Sequence, residues 1–121
     1  MSKKETAIAF LRLASSGKVK EAYEKCIHPK FRHHNSYFKG DRDSLMKGME
    51  ESVKQFPDKV FEPIRALEDG NLVAIHGKVK LSEGSKWSVI HIFRFEQGKI
   101  IELWEASQQV LKGSPNENGI F

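Results

Sequence analysis

The sequence predicts an α+β fold, an antiparallel sheet with N-terminal helices gathered on one face. Three observations carry this. Helical spacing of apolar residues is confined to the segment that ends near Gln55. From Val60 to Gln109 the pattern changes to strand-like alternation. Helix and strand never alternate as βαβ units, so the sheet is built from hairpins.

Residues 5 to 14 place Ala7, Ile8, Leu11 and Ala14 on one helical face, and Ser15-Ser16-Gly17 stops the helix. A second short helix from about Val19 to Cys26 buries Val19, Ala22, Tyr23 and Cys26, and Pro29 prevents its continuation. Both are amphipathic and too short to be stable alone, which suits a lid or wall. Phe31 to Gly40 is a polar-aromatic segment that fits neither a clean helix nor a clean strand. Its His33 reads as part of a solvated, capped loop. Asp41 or Asp43 caps a third helix to about Gln55, with Leu45, Met46, Met49 and Val53 as a buried stripe whose methionines read as core filler.

Two strands, 60–67 and 72–81, flank the turn cluster Glu68-Asp69-Gly70-Asn71, and Pro63 marks an edge or bulge position. In the second strand Val73, Ile75, Val79 and Leu81 share one face, which leaves His76 on the polar or interfacial side. The last hairpin, 87–109, turns at Gln97-Gly98. On its first strand His91 is the one polar member of the row Trp87, Val89, His91, Phe93 and Phe95. On its second, Glu105 interrupts the row Ile101, Leu103, Glu105 and Ser107. A three-residue loop, Glu96-Gln97-Gly98, would set His91 opposite Leu103 and Glu105 one diagonal step away, about 7–8 Å between backbones. A two-residue loop would send Glu105 to the other face. The first register gathers Phe93, Phe95, Ile101 and Leu103 on one side and is the expected one. The segment after Val110 has turn composition, but its Ile120-Phe121 pair is expected to dock on the body.

With 121 residues the chain is expected to form one domain, 1–121, burying roughly two-thirds of its unfolded surface. The lone Cys26 excludes an intramolecular disulfide and a cysteine metal site, and fits a reducing compartment. No apolar run suits a signal peptide or approaches the roughly 20 residues of a membrane span, so a cytoplasmic protein without membrane contact is expected. The net charge of +4 is spread along the chain and interleaved with Glu and Asp, which argues against nucleic-acid binding. Adjacent His33 and His34 point in different directions and lack a third ligand at useful spacing; no glycine-rich phosphate loop is present either. No metal and no cofactor are expected.

The run from Phe93 to Glu105, Phe-Arg-Phe-Glu-Gln-Gly-Lys-Ile-Ile-Glu-Leu-Trp-Glu, resembles the closing hairpin of SnoaL-like polyketide cyclases in the nuclear-transport-factor-2-like (NTF2-like) superfamily. There an Arg-containing strand and a Gly-Lys-Ile turn precede Glu-His-Trp-Asp. The His34-Asn35 pair resembles the family's His-Asn, and Asn116-Glu-Asn-Gly-Ile-Phe121 resembles the ending of a bacterial subgroup. Glu105 stands for the family aspartate, Leu103 where the subgroup often has histidine, His91 where it often has aspartate, and Ser36 for a common proline.

The resemblance implies an NTF2-like cone, with N-terminal helices packed on a strongly curved, mostly antiparallel sheet, a homodimer through the outer sheet face, and a small-molecule pocket that in some members closes rings by aldol chemistry without metal or cofactor. It implies Glu105 as general base or acid, its pKa raised toward neutrality by an apolar pocket, and His91 as donor to an enolate or carbonyl oxygen. Trp87, Phe93 and Leu103 would exclude water, and His34 and Asn35 would orient substrate oxygens. The rival readings are isomerisation or dehydration by the same residues, and a non-catalytic module binding a small ligand or a protein.

Overall fold

The computed structural model describes residues Met1–Phe121. Helices α1 (Lys3–Ser15) and α2 (Val19–Cys26) lead into strand β1 (Ile27–His33), followed by α3 (Arg42–Gln55) and strands β2 (Val60–Asp69), β3 (Leu72–Lys80), β4 (Lys86–Glu96) and β5 (Lys99–Gln109). The helix starts follow from capping chemistry. Ser2 accepts from the Glu5 N–H while the Glu5 carboxylate accepts from the Ser2 N–H, a reciprocal box that satisfies two orphan donors. At α3 the cap is Asp41, which accepts from the Ser44 N–H.

The strands form an open sheet in the order β1-β5-β4-β3-β2, antiparallel throughout except where β1 runs parallel to β5. β1 is an addition to the sequence expectation, which made Phe31 onward irregular and took Pro29 only as a helix stop. Its alternation is interrupted by Pro29 and by a register shift between Ile27 and Arg32. Pro29 is tolerated because β1 lies at the sheet's edge, where an absent N–H costs no ladder bond.

The closing hairpin corrects the expected register. Glu96 pairs with Lys99, so the loop has two residues, and Gln97 (φ 53°) and Gly98 (φ 76°) both adopt the left-handed conformation of a primed turn. The face of Glu105 is not inverted, because Phe95 pairs with Ile100 and Arg94 with Glu102, leaving Ile101 as an extra residue. That bulge restores the parity which the two-residue loop removes. His91 therefore lies directly opposite Glu105, Phe93 lies opposite Leu103, and Ile100 takes the core position expected for Ile101.

On the inner sheet face, Val73, Ile75, Phe93, Phe95, Ile100 and Leu103 meet Phe10 and Leu11 of α1 and Tyr23 of α2. Phe10 sits at the centre, edge-on to Tyr23 at 5.7 Å and to Phe93 at 6.1 Å between ring centroids. The outer face carries Leu72, Ile90 and Ile92, all exposed, with no helix over them. Phe121 docks beside them, stacked on His76 with the Lys78 ammonium 5.2 Å above its ring.

Candidate functional site

The concave sheet face does not meet the helices everywhere. Between α1, α3 and the far ends of β3 to β5 lies a cavity of about 400 Å³, walled by Leu11, Leu45, Met49, Phe61 and Trp87. The packing that keeps it open relies on two glycines. A Cβ on Gly77 would collide with the Phe61 ring and one on Gly48 with the Phe38 ring, so these aromatic walls take their positions only over bare backbone. Gly48 is costly inside a helix, by about 1 kcal/mol relative to Ala, and the seat of Phe38 explains it.

His91 and Glu105 meet on the sheet side of this cavity. His91 Nε2 lies 3.2 Å from Glu105 Oε2, with the His91 side chain 11% exposed and that of Glu105 27%. The imidazole stacks on Phe93 at 5.9 Å and 10° between planes, which fixes its plane. Its Nδ1 is buried and has no hydrogen-bond partner in the protein. The other carboxylate oxygen, Oε1, accepts from Asn35 Nδ2 at 2.5 Å.

Asn35 is itself held in register. Its Oδ1 accepts from the Tyr37 N–H at 2.9 Å, which directs the amide nitrogen toward Glu105. Its own N–H donates to His33 Nδ1 at 3.1 Å, and His33 Nε2 donates to the Lys39 carbonyl at 2.7 Å. His33 thus has both ring nitrogens engaged within the loop. It is buried and fastens both ends of the loop that presents Asn35, whereas the sequence suggested a solvated position.

Burial pushes the Glu105 carboxyl upward, but the His91 hydrogen bond and charge, with the Asn35 hydrogen bond, outweigh it and leave the pKa below the ordinary value. This corrects the expectation of a raised pKa. The cavity is apolar, yet the carboxylate's own neighbours are donors. Glu105 is thus ionised at neutral pH, a base or an anionic partner instead of a ready acid.

The structure brings His91, Glu105, Asn35 and Trp87 to the cavity wall. It does not bring Phe93, Leu103 or His34 there. Phe93 and Leu103 are fully buried in the core behind His91, because their cross-strand pair lies one step nearer the turn, under α1 and α2. His34 follows His33 on an extended segment whose side chains alternate. With His33 inward, His34 points outward, stacked on Trp104 at 5.1 Å with its Nε2 2.7 Å from Glu102 Oε2.

Sequence reasoning missed Phe38, Phe56, Lys59 and Phe61, and gave Met49 to the core alone, whereas it packs against the core and also borders this cavity. The stripe of α3 was legible, but nothing local distinguishes a helix face against a cavity from one against a filled core. No set of three or more His, Cys, Asp or Glu side chains is gathered as a metal ion would require.

The outer face holds a second cluster of charge. Glu102, almost fully buried, accepts from Arg32, Arg94 and His34 at 2.7 to 3.3 Å. Burial raises its pKa, but the His34, Arg32 and Arg94 hydrogen bonds prevail and lower it to about 2. A carboxyl whose folded pKa lies below its unfolded value contributes stability that is fully present above the unfolded pKa, near 4.5, and lost as pH falls toward 2. Denaturant titrations should therefore show stability falling across that window, and Glu102→Gln should flatten the fall. At neutral pH that substitution is expected to cost about 1–3 kcal/mol, nearer the lower figure because Arg32, 65% exposed, is readily rehydrated. An unchanged acid profile in the variant would show that the cluster contributes nothing to folding.

Helices over one face of an open sheet, with an ionised carboxylate and a histidine facing an apolar cavity, define an α+β domain of the cone type. The SnoaL-like domain family matches residues 7–103, and the chain belongs to that family. Among solved structures of the same fold, a candidate polyketide cyclase from Streptomyces antibioticus superposes with a TM-score of 0.76 at 19% identity, over 89% of this chain and 93% of that one. A candidate polyketide cyclase from Acidithiobacillus ferrooxidans gives 0.76 at 20% identity, over 88% and 89%. A cystatin-fold protein from Novosphingobium aromaticivorans gives 0.74 at 18% identity, over 88% and 98%. No curated protein sequence matches this chain. No helix is long and apolar enough to cross a membrane.

Proposed function

We propose that this chain is a small-molecule acid–base catalyst acting on a carbonyl compound in the apolar cavity, by aldol-type cyclisation or a related isomerisation or dehydration. One observation carries the reading: an ionised Glu105, paired with His91 and held by Asn35, borders a cavity otherwise walled mainly by apolar side chains. A carboxylate accepts up to four hydrogen bonds, and these two contacts leave it lone pairs with which to take a proton. Because its donors make it a weak base, the C–H it ionises must be acidified, most effectively between two carbonyl groups. His91 Nε2–H then donates to the oxygen on which charge develops. The chemistry asks for no cofactor.

The lowered pKa also favours a second reading, in which Glu105 is a polar brace in a non-catalytic binding pocket. Exchange of the acidic protons of an aromatic β-ketoester in deuterated buffer, followed by NMR, separates the two. A catalyst accelerates exchange above the buffer rate. Binding detected by saturation transfer without acceleration would leave only the binding module.

The reading also includes a homodimer through the outer sheet face and a cytoplasmic location, the latter supported by the free, buried Cys26. Ile90, Ile92 and Leu72 form an exposed apolar strip beside Trp104 that no helix of this chain covers. Sedimentation at micromolar concentration should give twice the 13.8 kDa chain mass, and Ile92→Glu should halve it. A wild-type monomer would remove the dimer from the proposal.

A further inference from the structure

The cavity wall holds one lysine and no arginine: Lys59 stands just beyond the end of α3. Its backbone N–H donates to the Phe56 carbonyl at 3.2 Å, so the turn after the helix is closed and the side chain starts from a fixed point. The ammonium reaches back to Ser52 Oγ at 2.7 Å, alongside the helix. It takes part in none of the chain's ion pairs. Burial alone lowers its pKa, with no neighbouring carboxylate in compensation. A half-buried lysine in an apolar wall without a counter-charge costs stability, and such a cost is usually kept for a ligand.

The donor inventory indicates what that ligand offers. One ammonium N–H is used on Ser52, which leaves two, and Ser52 has accepted a bond without donating its own O–H. Two N–H donors and one O–H donor side by side, on a positive charge, match the two oxygens of a carboxylate. The cavity's own carboxylate is engaged elsewhere, with His91 and Asn35.

Position completes the argument. Phe61, Val79 and Trp87 lie in register across β2, β3 and β4, and Lys59 precedes Phe61 by two residues. His91 is four residues further along β4 than Trp87, about 13 Å at the rise of an extended strand, so the lysine and the Glu105 pair belong to different ends of the cavity. We infer that Lys59, with Ser52, anchors the carboxylate of an elongated apolar keto acid whose carbonyl end meets Glu105 and His91. The inference rests on the acid–base reading for the role of the second end, but the anchoring itself does not require turnover.

The test uses a defined pair of probes, 6-acetyl-2-naphthoate and its neutral analogue 6-acetyl-2-naphthamide, titrated into the purified chain by calorimetry, with NMR shifts of the Met49 methyl reporting cavity occupancy. The wild type should bind the naphthoate at least tenfold more tightly than the amide. Lys59→Met should lose at least tenfold for the naphthoate while the amide stays within twofold, and Lys59→Arg should keep the preference for the anion. Because the variant removes a half-buried charge that has no counter-charge, Lys59→Met should melt at or above the wild-type temperature, and the amide checks its cavity directly. Equal binding of both probes by the wild type, or undiminished naphthoate binding by Lys59→Met, would overturn the anchor and leave the cavity reading standing. Failure of both probes to shift the Met49 methyl would overturn the two together.

Discussion

Glu105→Gln is expected to lower proton-transfer turnover by about 10²–10⁴-fold while changing unfolding free energy by no more than about 1 kcal/mol. The amide keeps the shape of the carboxylate, and its oxygen still accepts from Asn35, so that side of the site is preserved. Its nitrogen now faces His91 Nε2 in place of a carboxylate oxygen. What is lost is the negative charge and the capacity to take a proton. His91→Phe should also lower turnover with little loss of stability, since the ring it replaces already stacks in a row with Phe93. Thermal unfolding of both variants beside the proton-exchange assay decides the matter. A loss of several kcal/mol in Glu105→Gln would make the pair a buried structural bridge, because removing one partner strands the other's charge. Unchanged exchange together with unchanged stability would make Glu105 incidental.

The largest stability effect is expected at Phe93→Ala, about 3–5 kcal/mol. Phe93 has no exposed surface, packs edge-on to Phe10 at 6.1 Å, and is the platform on which His91 lies. Removing the ring leaves a cavity between α1 and β4 and releases the imidazole plane, so catalysis should fall in whatever fraction remains folded. Phe93→Leu, which retains much of the volume, should cost markedly less. Urea unfolding of the two variants checks this. A cost under about 1 kcal/mol for the alanine variant would be the behaviour of a partly exposed cavity liner, the role that the resemblance implied.

Part of this site was legible because strand alternation is a local property. A period of two places His91 in line with Trp87, Val89 and Phe93, and Glu105 in line with Leu103, whatever else the chain does. That the two rows share a face was also reachable, since gathering the aromatics and aliphatics leaves one parity. The mechanism of that parity was not. A three-residue loop and a two-residue loop followed by a bulge at Ile101 have the same outcome for Glu105, and no local signal separates them. The difference moves the partner of His91 from Leu103 to Glu105 itself.

By itself the sequence determined the α+β class, the order of the helices and hairpins, the stop of α1 and the capping of α3 within one or two residues, and the placing of a histidine and a carboxylate on one sheet face. These follow from periodicity, turn chemistry and capping, whose range is a few residues. Only the tertiary structure decided that residues 27–33 join the sheet, since a parallel edge strand needs β5, about 70 positions away, to supply its hydrogen bonds. It also decided that His33 faces in and His34 faces out, that Met49 and Lys59 face a cavity, and that Phe93 and Leu103 do not. The sign of the Glu105 shift belongs to the same class. An apolar wall alone would raise that pKa, but His91 across the ladder and Asn35, brought from 70 residues away, lower it. Electrostatics depends on which groups meet in space, and that is settled only when the chain closes on itself.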